Sequence, residues 1–484
     1  MDFLFSLCYN KFIKGKKGLI MGTITQKITF IADVSMRNKY YFVPFDVPEN
    51  VETMTLDFSY KSDKKVHPND RNKLDVALVT PDGKQAGATG QKIKHIVVSE
   101  RYSTQGYHPM TPPSGKWQLL IGIAGCEEKG LTADFIFNFT SKQPRWLKGD
   151  THIHTYHSDG AYTPETIFKK LKKKKFDYAI ITDHNVNMAG QYYRFPDPDL
   201  LVINGYELTS FNGHVNFWGV KDPLDLPFGF NTPEEYKERF LQAKERGCTI
   251  SVNHLTCKNC GWQFWATPED NKKEACMRVL PDDITFDCCE VWNGPMRIDN
   301  ATAVKWWHQQ LLTGRRLPAV GGSDYHQNYV GVNLLGNPTT YVYAKSNTTE
   351  DILEALRSGR SFITHSPTST EMYLQIEDKS VGESIPWKQG LQGKIVLKKP
   401  KRRHRLVVYN NDKIVFEKIL SGKKEEEYVF DVPEKGFVRA EIRYRYDLLF
   451  RSVYKAVIPL LMPKDNGLPI PDFYWALTNP VWIN

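Results

Sequence analysis

The chain has 484 residues, of which 41% are hydrophobic and 25% charged, and these are ordinary values for a soluble globular protein of about three domains. No run approaches the roughly 18 apolar residues of a transmembrane helix, which argues against a helical membrane protein. The net charge of +9 is modest for this size, and eight cysteines are too few to form a disulfide scaffold in a chain this long.

The first 26 residues carry no pattern typical of a secretory signal. Apolar residues come before the lysines rather than after them, and a small-residue cleavage site is missing. We predict a disordered or weakly anchored tail over 1–26, with Met21 as an alternative start. Together with the unpaired cysteines, this predicts a cytoplasmic protein.

Residues 27–142 alternate between apolar and polar side chains, as over 53–60 and 134–139, with turn signals at 81–83 and 113–115. This pattern predicts an antiparallel β-sandwich domain. It contains no cluster of histidines or carboxylates, so we expect it to support or shield a site elsewhere.

Residues 143–367 alternate apolar runs with helical segments. Helices are predicted at 164–175, 233–246, 300–312 and 349–357, and Thr163 and Thr232 are suitable N-caps. Strands are predicted at 150–153, 177–182, 200–206, 214–220, 248–253, 285–292 and 317–323. This alternation is typical of a parallel sheet, here a distorted seven-stranded (β/α) barrel.

Residues 368–484 return to strand patterns. A hairpin is predicted over 405–416, and 437–444 alternate cleanly. We expect a second antiparallel β-sandwich domain, packed on the barrel.

Basic residues are concentrated in 169–175 and 398–405. They would attract anionic substrates or nucleic acid, or they form a solvated helix face and a solvated loop. The solvated interpretation is favoured because no aromatic residues lie among them.

The cysteines give no clear metal motif. Cys257 and Cys260 form a lone CxxC without the second pair that a structural zinc site needs. Cys288 and Cys289 lie in an apolar run, where we expect them to pack in the core.

Nine metal-binding side chains stand at or near the ends of apolar runs in the barrel segment. They are His152, His154, Asp159, His184, Glu207, His214, His254, Asp324 and His326. Strands of a parallel barrel deliver such residues to one rim, where active sites lie. Histidine nitrogen and carboxylate oxygen suit Zn²⁺, Mn²⁺ or Fe²⁺. The sequence therefore predicts a metal-dependent hydrolase.

These residues resemble the motifs of the PHP (polymerase and histidinol phosphatase) superfamily. The matching segments are Asp150-Thr151-His152-Ile153-His154-Thr155, Ser158-Asp159-Gly160, Ile181-Thr182-Asp183-His184-Asn185, Gly205-Tyr206-Glu207, Asn253-His254 and Gly322-Ser323-Asp324-Tyr325-His326. Within the superfamily the chain is similar to the CehA/McbA branch, named for a carbaryl esterase, on the softer matches 106–109, 113–117, 290–294 and 478–480.

The resemblance implies two to three divalent metal ions in a seven-stranded barrel. One ion would be held by His152, His154, Glu207 and Asp324. A second would share Glu207 and add His214 and His254. A third would be held by Asp159, His184 and His326.

The expected chemistry is hydrolysis by a metal-bound hydroxide. Asp324 is the candidate to take the proton of the water, and His326 and His157 are further catalytic candidates. His157 would shuttle protons or else be an ordinary surface residue. Asp150 and Asp183 would orient imidazoles or cap strand ends.

Two substrate classes stay open, besides a non-catalytic binding module with a relict barrel. We favour a phosphoesterase acting on a small or nucleotide-like phosphoester, with nucleic acid still open as a partner. The alternative is a carboxyl-ester, carbamate or amide hydrolase. Basic side chains near the metals would favour the phosphoesterase, and the candidates are Arg194, Lys258 and Arg297. An apolar pocket would favour the carboxyl-ester, carbamate or amide hydrolase, and the side chains that could form it are Trp262, Phe264, Trp265 and Trp292.

Overall fold

The computed structural model describes residues 6–9, 22–68, 70–90, 92–186, 197–211, 213–221, 229, 231–256, 286–445, 452, 456 and 473–484. The chain divides into two compact units. The first comprises Met1–Arg145, Phe195–Leu201 and Lys345–Thr348, and the second comprises Trp146–Arg194, Val202–Ala344 and Thr349–Asn484. The architecture is mixed α/β, with many strands, few helices and several sheets. Within the described ranges, no helix has both the length and the apolarity needed to cross a membrane.

The first unit consists of antiparallel strands around one core. Its strands are β1 (Ser6–Tyr9), β2 (Thr23–Ala32), β3 (Tyr40–Val47), β4 (Val51–Tyr60), β5 (Lys73–Val79), β6 (Gln85–Thr89), β7 (His95–Ser99), β8 (Gly115–Gly125) and β9 (Leu131–Ser141), with a short 3-10 helix at Val34–Met36. They form two sheets, in the orders β1-β2-β9-β4-β7 and β3-β8-β5-β6. Both sheets contribute to one core, in which the rings of Phe45 and Phe137 stack with centroids 4.2 Å apart. This arrangement is typical of a β-sandwich.

Strand β1 lies in the stretch that the sequence predicts to be a tail. It pairs with β2 from Ser6↔Thr29 to Tyr9↔Gln26. The rest of that stretch up to residue 21 lies outside the described residues.

Strands and helices alternate in the first part of the second unit. The strands are β10 (Arg145–Ile153), β11 (Tyr178–Ile181), β12 (Leu201–Ser210), β13 (Gly213–Trp218), β14 (Thr249–Val252), β15 (Cys288–Asn293), β16 (Ala319–Gly322), β17 (Thr339–Ala344) and β18 (Ser361–Thr364). The helices are α1 (Pro164–Lys173), α2 (Pro233–Glu245), α3 (Ile298–Leu312) and α4 (Thr349–Arg357). The side chains of Thr163 and Thr232 accept hydrogen bonds from the first turns of α1 and α2, so both predicted N-caps are confirmed.

The sheet formed by β10 to β16 mixes parallel and antiparallel neighbours. Its strand order is β16-β15-β14-β13-β12-β11-β10. The pairs β10–β11, β14–β15 and β15–β16 are parallel, but β13 is antiparallel to both β12 and β14. The prediction of a uniformly parallel sheet is therefore wrong at β13. The connection between Ser210 and Gly213 is too short for the crossover that a parallel pair requires.

The chain beyond β16 hydrogen bonds to the end of β10. The backbone N–H of Asp324 donates to the carbonyl oxygen of His152 at 2.9 Å, and that of His154 donates to Tyr325 at 3.1 Å. Gly322 permits this close approach, because a Cβ at that position would lie 2.3 Å from the Cβ of His152. The first and last strands of the run thus bring their carboxyl ends together.

The rest of the second unit is again made of strands. They are β19 (Glu371–Ile376), β20 (Lys379–Ser380), β21 (Ser384–Ile385), β22 (Gln392–Lys398), β23 (Arg405–Asn410), β24 (Lys413–Ile419), β25 (Glu425–Asp431), β26 (Gly436–Arg443), β27 (Tyr474–Thr478) and β28 (Val481–Ile483). One sheet has the order β20-β19-β22-β25. The other continues the barrel-segment sheet through β10-β17-β18-β27-β26-β23-β24. Their facing side chains share a core, and the predicted hairpin is confirmed as β23 and β24.

The buried side chain of Asn479 joins the C-terminal strands to β16 and β18. Its Oδ1 accepts from the N–H of Ala319 at 2.8 Å, and its Nδ2 donates to the carbonyl oxygen of Ala319 at 2.9 Å and to the hydroxyl of Ser361 at 2.7 Å. A side chain that satisfies backbone groups of two strands fixes their relative position. Asn479 therefore helps to position β16, which precedes two of the candidate ligands.

Candidate metal centre

The structure brings the nine predicted ligand residues together at one end of the sheet formed by β10 to β16. His152 is in β10 and His154 follows it, Glu207 and His214 lie in β12 and β13, and the others follow strands. The potential ligand atoms of eight of them form three overlapping groups, each within 4.8 Å, and His254 lies outside these groups. The groups are His152, His154 and Asp324; His184, Glu207 and His214; and His154, Asp159, His184 and His326.

The fully buried carboxylate of Glu207 lies at the centre of this cluster. Five imidazole nitrogens approach its two oxygens: His152 Nε2 at 3.4 Å, His154 Nε2 at 3.4 Å, His184 Nδ1 at 2.8 Å, His214 Nδ1 at 3.2 Å and His254 Nε2 at 3.5 Å. A carboxylate surrounded by imidazole nitrogens belongs to a donor set that would hold a divalent cation.

Asp324 provides the second carboxylate of the buried part of the cluster. Its Oδ1 lies 3.0 Å from His154 Nε2, 3.4 Å from His152 Nε2 and 3.5 Å from His326 Nδ1. Its Oδ2 accepts a hydrogen bond from Asn293 Nδ2 at 3.1 Å. One oxygen thus faces the imidazoles while the other is fixed by an amide.

Asp159, His184 and His326 form the outer part of the cluster. Asp159 Oδ1 lies 3.1 Å from His326 Nε2 and 3.6 Å from His184 Nε2. The Asp159 side chain is 60% exposed, whereas Glu207 is fully buried. This part of the cluster is therefore the part that solvent reaches most easily.

Several buried nitrogen atoms of the cluster form no hydrogen bond within the described part of the chain. They are Nε2 of His152, both ring nitrogens of His154 and Nδ1 of His254. A buried polar atom without a hydrogen bond costs about 1–3 kcal/mol, and a bound cation would offset that cost at these nitrogens. Imidazole nitrogens next to carboxylate oxygens are the donor set of a Zn²⁺, Mn²⁺ or Fe²⁺ site. The residues present therefore fit a divalent metal.

The electrostatics of the cluster keep both central carboxylates ionised. Burial raises the pKa of Glu207 and of Asp324, but the imidazoles around them, led by His152, hold both pKa values well below their ordinary range. Burial lowers the pKa of His152, but the carboxylates of Glu290, Asp324 and Glu207 outweigh it and raise that pKa well above its usual value. Burial lowers the pKa of His154 to about 4. Ionised carboxylates are the form that binds a cation, and a cation would displace the proton of His152.

Glu290, in the middle of β15, orients His152 from behind the cluster. Its Oε1 lies 2.9 Å from His152 Nδ1, and its Oε2 accepts from the N–H of His254 and from Asn293 Nδ2, both at 3.0 Å. A carboxylate on the far nitrogen of a ligating histidine fixes its tautomer and increases its basicity.

Sequence reasoning gave no role to Glu290 or to three other polar side chains that hold the candidate ligands. Asn253 Nδ2 donates to Glu207 Oε1 at 2.8 Å, Asn293 donates to Asp324, and the hydroxyl of Thr209 lies 2.6 Å from His184 Nδ1. The sequence did contain one signal for Glu290. It is a charged residue inside an otherwise apolar strand, and such a residue requires a buried partner.

Replacing Glu290 with glutamine should weaken metal binding and lower hydrolysis by about 10–100-fold, because the amide no longer gives His152 a charged acceptor. Metal content by mass spectrometry and turnover of a phosphoester would measure the loss. Glu350→Gln, at an exposed position of α4, is the control. Unchanged metal affinity in Glu290→Gln would contradict the role assigned to this carboxylate.

Asp150 and Asp183 bond to the backbone that surrounds the cluster. Asp150 accepts from the N–H groups of Ser323 at 2.9 Å and Gly336 at 2.8 Å. Asp183 accepts from the N–H of Thr155 at 2.6 Å and its hydroxyl at 2.8 Å. These contacts agree with the strand-end interpretation and hold the segments that carry His152, Asp324 and Asp159.

Two candidate ligand residues have backbone conformations that are unusual for their side chains. His254 has φ of 25° and Asp324 has φ of 49°. Non-glycine residues adopt such positive φ values at a cost that is commonly found at functional sites. Both residues stand directly after or close to the end of a strand, β14 and β16.

The remaining predicted site residues do not join the cluster or are not described. The ring of His157 packs against Tyr156 with centroids 4.4 Å apart and belongs to none of the three described ligand groups. Arg297 is exposed before α3, and Trp292 is fully buried in the core. Arg194, Lys258, Trp262, Phe264, Trp265 and the Cys257–Cys260 pair lie outside the described residues. Cys288 and Cys289 are unpaired and buried in β15, as predicted.

Comparison with known proteins gives only distant likenesses. No family model and no curated protein matches the chain. A two-domain protein from Bacteroides vulgatus, containing a predicted PHP-like metal-dependent phosphoesterase, is similar at 19% identity over 62% of this chain and 90% of its own, with a TM-score of 0.36. A proposed metal-dependent phosphoesterase from Bifidobacterium adolescentis is similar at 16% identity over 37% of this chain and 87% of its own, with a TM-score of 0.25. At these TM-scores the functional argument rests on the residues of this chain alone.

Proposed function

We propose that this protein is a metal-dependent hydrolase, and that it acts as a phosphoesterase on a small or nucleotide-like phosphoester. The observation that supports this most directly is the convergence of buried imidazole nitrogens without hydrogen bonds on two ionised carboxylates. A closed seven-stranded barrel, with β10 and β16 as neighbours, would hold these groups at its rim.

Two to three divalent ions would be bound by the chain. The first would be held by His152, His154, Glu207 and Asp324, the second by Glu207, His214 and His254, and the third by Asp159, His184 and His326. Bound cations would supply Lewis acidity to the electrophile and lower the pKa of water.

The side chains of the protein would then position the reactants and move the proton. Asp324 would accept a proton from the attacking water, since Asn293 fixes one of its oxygens and leaves the other facing the cluster. With only the first two ions bound, His326, whose Nδ1 lies 3.5 Å from Asp324 Oδ1, would pass that proton through Nε2 toward the solvent-exposed side. His157 is a further candidate for this outer step, because it follows His154 by three residues.

Phosphoester chemistry is favoured by the overlap of the ligand groups. The inner group shares His154 with the outer one, and the outer group shares His184 with the third. Neighbouring cations suit phosphoryl transfer, in which negative charge is spread over several oxygens of the transferred group.

Hydrolysis of a carboxyl ester, carbamate or amide is the second candidate. Exposed apolar side chains lie in three loops that are close in sequence to candidate ligands: Tyr156, Phe211, and Tyr329, Val330 and Val332. Such side chains would favour a substrate with an apolar leaving group.

Removal of metal by a chelator should lower hydrolysis of bis-p-nitrophenyl phosphate by more than about 100-fold, because both charge stabilisation and water activation depend on the cations. Adding Mn²⁺, Zn²⁺ or Fe²⁺ to the depleted protein should restore the activity. Parallel assays with p-nitrophenyl phosphate and p-nitrophenyl acetate separate the two substrate classes.

The outcomes distinguish the candidates. Turnover of the phosphoesters supports the first candidate, and turnover of the acetate alone supports the second. Metal-independent turnover, or no metal in the purified protein and none taken up, would contradict the proposed function.

A further inference from the structure

A concavity of about 520 Å³ lies among the C-terminal strands of the second unit. Three segments line it, 365–370, 399–402 and 422–424, together with Trp475. None of the nine candidate ligand residues contributes to the lining. The concavity is therefore separate in composition from the candidate metal centre.

Four cationic side chains line this concavity without an anionic partner. Lys401, Arg402, Lys423 and Lys424 are exposed, and within the described residues none of them forms an ion pair, whereas Lys399 pairs with Glu371 at 2.8 Å. Like charges brought together repel one another, and a bound anion would relieve that repulsion. The excess of positive charge thus predicts an anionic occupant.

The loop that carries Lys423 and Lys424 is held in place by its own hydrogen bonds. The carboxylate of Glu426 accepts from the N–H groups of Gly422 at 2.7 Å and Lys423 at 3.0 Å. Gly422 has φ of 81°, and a Cβ there would lie 2.7 Å from the Cβ of Arg402, so only glycine lets the two basic segments meet so closely. Preorganisation of this kind lowers the entropic cost of binding.

The Trp475 ring in the wall of the concavity already contacts two neighbouring side chains. His365 stacks on Trp475 with centroids 4.4 Å apart, and Lys401 Nζ lies 4.7 Å from the same ring. Burial and the charge of Lys401 lower the pKa of His365 to about 4, so that this imidazole is neutral near pH 7. Stacking of a base on Trp475 would have to compete with these two contacts, so we expect recognition to depend on the cations and on hydroxyls such as that of Ser369.

We propose that this concavity binds a compact multivalent anion of the phosphate type, such as phosphate, pyrophosphate or the phosphate group of a small ester. Four cations and several hydroxyl donors match tetrahedral oxyanions with two or more negative charges. This site is independent of the proposed phosphoesterase activity, since it shares no residue with the candidate metal centre.

Isothermal titration calorimetry of the metal-loaded protein with pyrophosphate tests the proposal. It is done at about 0.15 M salt, because salt at this concentration largely screens weak attraction between an anion and the protein surface. The pair Lys401→Gln/Arg402→Gln and the pair Lys423→Gln/Lys424→Gln should each bind at least about tenfold more weakly, since each pair removes two charge-assisted contacts. The matched control is Lys418→Gln/Lys435→Gln, which removes the same charge at exposed positions outside the lining.

Asp324→Asn separates this site from the metal centre. The proposal is supported if Asp324→Asn still binds pyrophosphate and both double variants of the concavity lose binding. These two double variants should keep wild-type hydrolysis. Equal loss in the control pair, or wild-type binding in these double variants, would overturn the proposal. Tighter binding of a single-stranded oligonucleotide than of pyrophosphate, lost in the same pairs, would overturn the assignment to a compact anion.

Discussion

Replacing Glu207 with glutamine is expected to weaken metal binding by more than about 100-fold and to reduce phosphoester hydrolysis at least as much. Removing a residue that only orients a metal ligand costs about 10–100-fold, and Glu207 lies at the centre of the cluster itself. The substitution keeps the shape of the side chain but removes the negative charge that five imidazole nitrogens approach within 3.5 Å. Metal content by mass spectrometry and turnover of bis-p-nitrophenyl phosphate measure both effects.

The matched control for this experiment is Glu441→Gln. Glu441 is also fully buried in the second unit, where it pairs with Arg439 and Arg443, but it is not among the candidate ligands. Its replacement should lower the thermal stability of the protein and leave the metal content per folded molecule unchanged. Full metal occupancy and activity in Glu207→Gln would show that this carboxylate is not a ligand.

The positions of the nine candidate ligands could be predicted because strand and ligand are adjacent in sequence. His152 and His154 are two residues apart at a strand end, and such local periodicity fixes the side on which both project. The helix starts at Thr163 and Thr232 were predictable for the same reason, since an N-cap acts on the next three residues.

The polar groups that hold the candidate ligands from behind depend on long-range pairing. Glu290 meets His152 across 138 residues of sequence, and Asn293 meets Asp324 across 31. Both contacts exist because β15 and β16 pair and the chain after β16 bonds to β10, which no local pattern specifies. The direction of β13 is a different case. The short turn between Ser210 and Gly213 was visible in the sequence, and its length argues against parallel pairing of β12 and β13.

The role of the basic run at 398–405 also depends on contacts that local sequence patterns do not specify. By itself it is typical of a solvated loop, because no aromatic residue lies within it. The fold adds Lys423 and Lys424 from another loop and Trp475 from β27, and together these residues line one concavity. Convergence of this kind is a property of tertiary structure rather than of composition.

Replacing Asp324 with asparagine is expected to lower the turnover number for phosphoesters by about 10²–10⁴-fold, the usual contribution of a positioned proton acceptor. The amide can still accept the hydrogen bond of Asn293, but it cannot take a proton from water near neutral pH, and it removes a charge from the side of His152 and His154. Steady-state kinetics at saturating metal separate the two losses. A turnover number that returns to the wild-type value at high metal concentration would make Asp324 a ligand only, whereas one that stays low with metal bound identifies it as the residue that takes the proton. Asp299→Asn, in the first turn of α3 and outside the three ligand groups, is the control and should keep wild-type turnover.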